Sequence, residues 1–353
     1  MTLPLDVDLA PMLAKLATEL PRGNGWTYEP KWDGFRALVF KDREDIEIRS
    51  RDQRTLQRYF PELPPLLHDY LPDRCVVDGE IVIPGERGLG FDALLLRIHP
   101  AESRVRMLAE TTPASFMAFD LLALGPEEFL SEPLIERRAR LTRELNHAPE
   151  RGELARAIRN FATVTPNQVR FMTGSWTDDA DEAQRWMDEF EALGLDGIVA
   201  KESTSTYEPN KRGWIKVKQQ RTADCVVGGY RLSKSGDGVG SLLLGLYDAA
   251  GVLHYVGHTS SFKANERRDL LKELRPFEGG ASFGSGRTPG GPSRWTGGKD
   301  TSWVPLEPKL VCEVGYDRML GDRFRHATTF LRWRPERAPK SCTFDQLPEF
   351  LRP

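Results

Sequence analysis

Three short stretches of this 353-residue chain place charged side chains where a sheet would carry apolar ones. "EPKWDGFRALVF", Glu29 to Phe40, sets Lys31 two residues ahead of Asp33-Gly34, just before a β-prone run that begins at Phe35. In "CVVDGEIVI" the period-2 alternation of a strand puts Val76, Asp78, Glu80 and Val82 on one face and Val77, Ile81 and Ile83 on the other. In "WIKVKQQ" Trp214, Lys216 and Lys218 share a face, with Ile215 and Val217 opposite. A deprotonated lysine is a nucleophile, and carboxylates hold metal ions. Two lysines side by side repel each other unless an anion lies between them. Each stretch also has an ordinary explanation. Asp33-Gly34 suits a turn, the carboxylates suit a solvated sheet face, and the lysines suit an exposed edge strand. Singly, none of the three decides the matter.

The surrounding pattern indicates what would hold these groups. Over residues 1–220 strands and helices alternate. Strands are predicted at Phe35–Phe40, Ile46–Ser50, Cys75–Ile83, Ser115–Leu122, Gly197–Lys201 and Trp214–Lys218. A helix is predicted from Asp179 to Leu193, capped by Thr177 or Asp178 and stopped by Gly194, with Ala183, Trp186, Phe190 and Leu193 on its core face. A second, heavily charged helix is predicted at Leu134–Leu145, exposed along one face. Beyond residue 220 the segments "CVVGGYRL", "GSLLLGLYD", "LHYVGHT" and "KLVCEVGYD", separated by Gly-rich turns and one helix at Lys263–Leu274, predict a small β-barrel. Gly279–Gly298 holds eight glycines in twenty residues and reads as a flexible loop within it.

The length predicts two domains at about 150 residues each. Hydrophobic residues make up 39% and charged residues 29%, a soluble globular composition. No apolar run is long enough to span a bilayer, and MTLPLDVDLAPMLAK lacks the basic region and apolar core of a secretory signal. Cys75, Cys225, Cys312 and Cys342 lie far apart without a CxxC pair, which argues against zinc and for a reducing cytoplasm. The net charge of −3 conceals an asymmetry. Residues 1–200 carry 24 Lys+Arg against 35 Asp+Glu, and residues 201–353 carry 25 against 17. The second part is therefore basic and suits an anionic partner.

The order of the motifs goes further than any one of them. Lys31-Trp32-Asp33-Gly34-Phe35-Arg36 is followed by Ser50-Arg51, Asp78-Gly79-Glu80, Phe119-Asp120, Asp196-Gly197-Ile198-Val199-Ala200-Lys201, Lys216-Val217-Lys218 and Arg332-Trp333-Arg334-Pro335-Glu336-Arg337. Over nearly its whole length the chain resembles the covalent nucleotidyltransferases, and within them the ATP-dependent DNA ligases. "YEPKWDGFRALVF" and "GDRFRHATTFLRWRPER" look most like the small bacterial ligase C type, and are also similar to the ligase module of bacterial end-joining enzymes. Two departures stand out: Asp196 where the family usually has glutamate, and Glu336-Arg337 where it more often has Asp-Lys. No N-terminal helical DNA-binding domain and no fused polymerase or nuclease module is recognisable in the sequence.

The resemblance implies an α+β fold. An adenylation domain of antiparallel sheets flanked by helices (1–220) would precede an OB-fold β-barrel (221–353), with a hinge near Gln219–Ala223. It implies nick sealing through a lysyl-AMP intermediate on Lys31, AMP transfer to a 5′-phosphate, attack by the 3′-OH and release of AMP, in DNA repair. Lys31 would need to lose its proton, which burial, neighbouring cations and bound metal promote. Lys216 and Lys218 would serve as counter-charges to the α-phosphate. Asp196 would hold Mg²⁺, with Mn²⁺ as the alternative, and Asp33 would act mostly through the outer shell. Phe119 would stack on adenine, Glu29 lie near its amino group, Glu80 near the ribose hydroxyls, and Arg36 and Arg51 near ribose and phosphates, with Arg51 reaching the 5′-phosphate of the nick. Lys201, Trp214, Arg332 and Arg334 complete the implied nucleotide-binding set, with Arg337 beside the last two. The implied partner is nicked duplex DNA, with a repair polymerase or end-binding protein as a further one. The implied protein is a monomer in the bacterial cytoplasm, at the nucleoid. Two rivals remain at this stage, a GTP-using capping enzyme or RNA ligase, and a DNA-binding scaffold without activity.

Overall fold

The computed structural model describes residues 1–85, 88–145, 171–189, 195–219, 221–280, 282–284, 289, 302–348 and 351–352. The chain divides into two compact units, Met1–Gln219 and Gln220–Pro353.

The first unit contains two sheets. The smaller runs in the order Ala14–Ala17, Trp214–Lys218, Leu195–Glu202, Trp26–Trp32. The main path of the larger runs Phe171–Thr173, Ser115–Leu124, Arg74–Val82, Phe35–Asp42, Asp45–Ser50. Pairing is antiparallel except at two edges: Ala14–Ala17 lies parallel to Trp214–Lys218, and Phe171–Thr173 parallel to Ser115–Leu124. Alternation gives each sheet two apolar faces. Leu38, Phe40, Val76, Phe119 and Leu122 of the larger sheet pack with Trp214 of the smaller. The opposite face of the larger sheet, with Val39, Ile48, Val77 and Leu121, is covered by Leu63, Leu66 and Leu67 of the helix Leu63–Tyr70, by Leu94 of Phe91–Arg97, and by Leu141 and Leu145 of Leu134–Leu145. Tyr28, Ile198, Ala200 and Val217 of the smaller sheet pack on Ala183, Trp186 and Met187 of Ala180–Glu189.

Several elements differ from the sequence-based expectation. Lys31 lies inside a strand, Trp26–Trp32, rather than in a turn before one. Pro30 hides that strand from propensity reasoning, yet a proline is tolerated at a sheet edge, and this strand is the edge. The helices Leu63–Tyr70, Phe91–Arg97 and Glu102–Thr111 were not foreseen either. The helix placed at Asp179–Leu193 is Ala180–Glu189, and its cap is Asp179, whose Oδ1 accepts from the amides of Asp181 (2.8 Å) and Glu182 (3.3 Å). Phe190, Leu193 and Gly194 lie outside the described residues. So does most of the Gly279–Gly298 loop.

In the second unit the strands run Leu253–Thr259, Val239–Tyr247, Arg221–Leu232, Val311–Tyr316, Thr329–Trp333. A parallel bridge between Thr259 and Thr328 links the two outer strands, with the Thr328 amide donating to the His258 carbonyl at 2.9 Å. That order and closure are those of an OB-type barrel. Leu242, Leu244, Leu246, Val256 and Val314 fill it, and Leu270, Leu271 and Leu274 of the helix Ala264–Leu274 pack on them. Cys225, Cys312 and Cys342 belong to the same core, and burial pushes all three thiols above their ordinary value. They are packing residues. Among the described residues no cluster of His, Cys, Asp and Glu is arranged to hold a metal by itself.

Candidate active site

Two glycines build the site before any charged group is considered. At Gly34 a Cβ would lie 2.3 Å from the Ile81 carbonyl oxygen and 2.6 Å from Glu80 Cγ, so the chain turns between the strands of Lys31 and Arg36 only because no side chain is present. At Gly197 φ is +140°, and a Cβ would meet the Val217 carbonyl oxygen at 2.0 Å. Gly197 is half of a β-bulge. Between the pairs Trp32–Leu195 and Pro30–Ile198, Asp196 and Gly197 together face the single residue Lys31. The extra residue re-aims Asp196. Its Oδ2 accepts from Lys31 Nζ at 2.6 Å and meets Lys218 Nζ at 3.0 Å. The Asp196 side chain is 4% exposed and that of Lys31 22%.

The larger sheet supplies the opposite wall. Arg36, from the strand after the turn, grips Asp78 with two hydrogen bonds of 2.5 Å. Asp78 is fully buried, so its sheet face is not the solvated one that remained open from sequence. Asp78 also accepts from the Tyr207 hydroxyl at 2.7 Å, and that hydroxyl accepts from the Met12 amide at 3.0 Å. The guanidinium of Arg36 lies 4.6 Å from the Phe119 ring centre and 4.9 Å from that of Trp214. Lys201 Nζ lies 4.7 Å and 4.0 Å from the same two rings. It meets Glu29 Oε2 at 2.7 Å as an ion pair rather than a well-aligned hydrogen bond. The other Glu29 oxygen accepts from Arg138. Asp120, beside Phe119, is committed to structure through two 2.9 Å bonds from Arg137.

The electrostatics differ from expectation at Lys31. Burial works to lower its pKa, but Asp196, Glu80 and Asp33 outweigh burial and raise it. The proton is therefore held, not shed, while Asp196 is paired to it. Asp196 itself would be raised by burial, yet Lys31 and Lys218 hold it down to about 2. Lys216 is lowered by burial and by the ammonium groups of Lys31 and Lys218. Burial pushes Glu80 up to about 7, against the pull of Arg36 and Lys31.

The structure thus brings together Lys31, Asp33, Arg36, Glu80, Asp196, Lys216 and Lys218, with Glu29, Phe119, Lys201 and Trp214 in the adjoining aromatic and ionic cluster. It does not bring Arg51 into that group: its side chain is 67% exposed and pairs with Asp52 at 3.4 Å. Arg332, Arg334 and Arg337 lie in the second unit, paired with Glu313 (2.7 Å), Asp224 (3.0 Å) and Asp224 (3.4 Å) respectively. Sequence reasoning missed Tyr207, Met12, Arg137 and Arg138. The two arginines sit on the helix judged charged and exposed, and both point inward. The one available signal was an "RR" dipeptide falling in register with Leu134 and Leu141. The residues present fit a nucleotide. The Trp214 indole N–H is buried without a hydrogen-bond partner among the described residues. They also fit a hard divalent cation, which binds through one or two carboxylates plus phosphates and water rather than a protein cage.

Comparison with known proteins agrees with this arrangement. Residues 11–218 match the ATP dependent DNA ligase domain, and residues 235–337 match the ATP dependent DNA ligase C terminal region. DNA ligase C of Mycobacterium tuberculosis H37Rv is 49% identical over 359 residues, covering 98% of this chain and 96% of that protein. DNA ligase C1 of Mycolicibacterium smegmatis is 46% identical over 357 residues, with the same coverage. A solved structure described as "DNA binding with a minimal scaffold: Structure-function analysis of Lig E DNA ligases" is similar with a TM-score of 0.53 at 18% identity, covering 92% of this chain and all of that one. This last likeness is one of fold. By motif, architecture and sequence, the chain belongs to the ATP-dependent DNA ligase family and is of the bacterial ligase C type.

Proposed function

We propose that Lys31 is the residue through which this ATP-dependent DNA ligase works. The carrying observation is the bulge that fixes Asp196 against both Lys31 and Lys218. Lys31 Nζ attacks the α-phosphorus of ATP. The ammonium first gives one proton to solvent; then a P–N bond forms, the P–O bond to pyrophosphate breaks, and a second Nζ proton passes to solvent. The nick's 5′-phosphate then takes the AMP, which returns the lysine amine. Attack by the 3′-OH on that activated phosphate makes the phosphodiester and releases AMP. Lys216 and Lys218, side by side on one strand, counter the charge that gathers on the α-phosphate. Phe119 stacks on the base with Trp214 beside it, Glu29 accepts from its amino group, and Glu80 accepts from the ribose. A divalent cation, Mg²⁺ with Mn²⁺ as the alternative, would be held by Asp196 and through water by Asp33, and would neutralise phosphate charge while drawing Asp196 away from the Lys31 proton.

We assign adenylation to residues 1–220 and DNA wrapping to the basic barrel of 221–353, with Gln219–Ala223 as the hinge. The barrel's phosphate contacts would give affinity that is salt-dependent and largely blind to sequence. Arg332, Arg334 and Arg337 would serve the nucleotide only when released from Glu313 and Asp224. We place the enzyme as a monomer on nicked chromosomal DNA in repair, beside a repair polymerase. The deciding experiment is label transfer: α-labelled ATP with Mg²⁺, then a chase with nicked duplex. Label bound to protein and lost as sealed DNA appears, with none bound by Lys31→Ala, is the expected result. Labelling of the Lys31→Ala protein, or labelling from GTP alone, would overturn the assignment.

A further inference from the structure

We infer that Arg138 is a positioning residue that sets the choice of purine, acting through Glu29. This rests on the proposal that Glu29 meets the base. Glu29 and Lys31 lie two residues apart on the strand Trp26–Trp32 and so project from the same face, about 7 Å apart along it. A nucleotide whose α-phosphate is at Lys31 thus has Glu29 on the same wall. Adenine carries an amino group at position 6, a donor. Guanine and hypoxanthine carry a keto oxygen there, an acceptor. An ionised carboxylate only accepts, so it welcomes the first and repels the second.

What keeps Glu29 an acceptor, in one orientation, is a clamp. Arg138 donates to Oε1 and Lys201 meets Oε2 at 2.7 Å, and all three side chains are almost wholly buried. A carboxylate offers about four lone-pair directions, so two cations leave room for a base amine. Arg138 reaches this point from the helix Leu134–Leu145 and packs its guanidinium 5.4 Å from the Trp176 ring centre. It meets Glu29 through Nη2 alone, while its Nε has no hydrogen-bond partner among the described residues, so the reach of the long side chain rather than a bidentate grip sets the Glu29 orientation. Lys201 alone, whose pKa burial lowers, is the weaker half of the clamp. Neither Arg138 nor the amino group of the base is required to touch the other.

The test compares ATP with ITP, which differ only in the position-6 group and the N1 proton that accompanies it. The second-order rate of self-labelling is measured for both nucleotides in the full-length protein, in Arg138→Met, Arg138→Lys and Glu29→Gln. The ATP-to-ITP ratio is expected to fall at least about ten-fold in Arg138→Met and in Glu29→Gln, the loss expected when a site built to hydrogen-bond one substituent is undone. Arg138→Lys, which keeps the charge on a shorter side chain, is expected to fall in between, and it carries the test if the Met variant does not fold. A purely structural arginine would slow both nucleotides equally. An unchanged ratio in the Arg138 variants with a fallen ratio in Glu29→Gln would overturn the role of Arg138. An unchanged ratio in all three would instead remove Glu29 from the base, and a ratio that falls with Arg138 but not with Glu29 would refute action through Glu29.

Discussion

Replacing Gly197 by Ala tests whether the bulge, rather than the mere presence of the charged residues, makes the site. The substitution adds one methyl group and touches no ionisable atom. Its Cβ would lie 2.0 Å from the Val217 carbonyl oxygen and 2.9 Å from Lys218 Cα, so the strands Leu195–Glu202 and Trp214–Lys218 must part by about 1 Å to relieve the clash and by more than that to reach ordinary contact. A φ of +140° adds strain of about 1–3 kcal/mol for any residue with a Cβ. For a unit of this size each kcal/mol lowers Tm by about 2–4 °C. Asp196, next in the chain, holds Lys31 at 2.6 Å and Lys218 at 3.0 Å, and a 1 Å displacement breaks both contacts. A misplacement of about 1 Å can slow a positioned reaction about 100-fold. The expected outcome is a Tm lower by several degrees and self-adenylation slowed about 100-fold, read by calorimetry and by label bound to protein. Gly23→Ala is the control: its φ is +109°, but a Cβ there meets nothing within 4 Å, so it should lose a little stability and no adenylation. Gly197→Ala with native Tm and adenylation within about three-fold would refute the reasoning, as would equal loss in Gly23→Ala.

Three further outcomes follow from the charges. Asp196→Asn removes the strongest partner that holds the Lys31 proton, so the rising limb of the pH profile of self-adenylation should move to lower pH even as the maximal rate falls; an unmoved limb would sink the pairing. The same variant should be less sensitive to acid. The native Asp196 pKa of about 2 lies below its ordinary 3.8, so it contributes about 2 kcal/mol above that value, and the contribution is lost as pH falls toward 2. Urea midpoints at pH 5 and pH 2.5 should therefore converge between wild type and variant at the lower pH. For Glu80, burial raises the pKa to about 7, so the carboxylate proposed to accept from ribose hydroxyls forms as pH rises through 7. The KM for ATP in self-adenylation should fall between pH 6 and 8, and Glu80→Gln should be flat across that range.

The charged residues of the site were legible because strand alternation sorts faces without knowledge of partners. It put Lys216 and Lys218 on one side of their strand and Asp78 and Glu80 on one side of theirs, and the structure keeps both. Alternation does not say which face is wet. Asp78 is buried because Arg36, Tyr207 and the Met12 segment come to it from 42, 129 and 66 positions away, and no local pattern announces such partners. Arg137 and Arg138 were concealed in a similar way. Their helix has its expected exposed face, and the buried carboxylates of Asp120 and Glu29 draw the two arginines inward. The pairing that holds the Lys31 proton was not legible, because the carboxylate is turned toward it by a bulge that is invisible in a list of residue types. The barrel was easier in part, since its first three strands follow one another by short turns; the pairing of Arg221–Leu232 with Val311–Tyr316 and the closure at Thr259–Thr328 are long-range.

The pairing of Ala14–Ala17 with Trp214–Lys218 has a bearing on how the enzyme comes into being. The first strand of the unit and its last are neighbours, so the smaller sheet cannot close until residue 218 has been synthesised. At about 5–20 residues per second, a ribosome needs on the order of 10–40 s to reach that point. Contacts of such sequence separation also close slowly. Throughout that interval Lys31 is present while Lys216 and Lys218 are not yet made. On the roles proposed above, a chain arrested anywhere in between would carry Lys31 without its counter-charges and would not take up AMP. A chain that can be charged with nucleotide would then already have been translated through the last strand of its first unit.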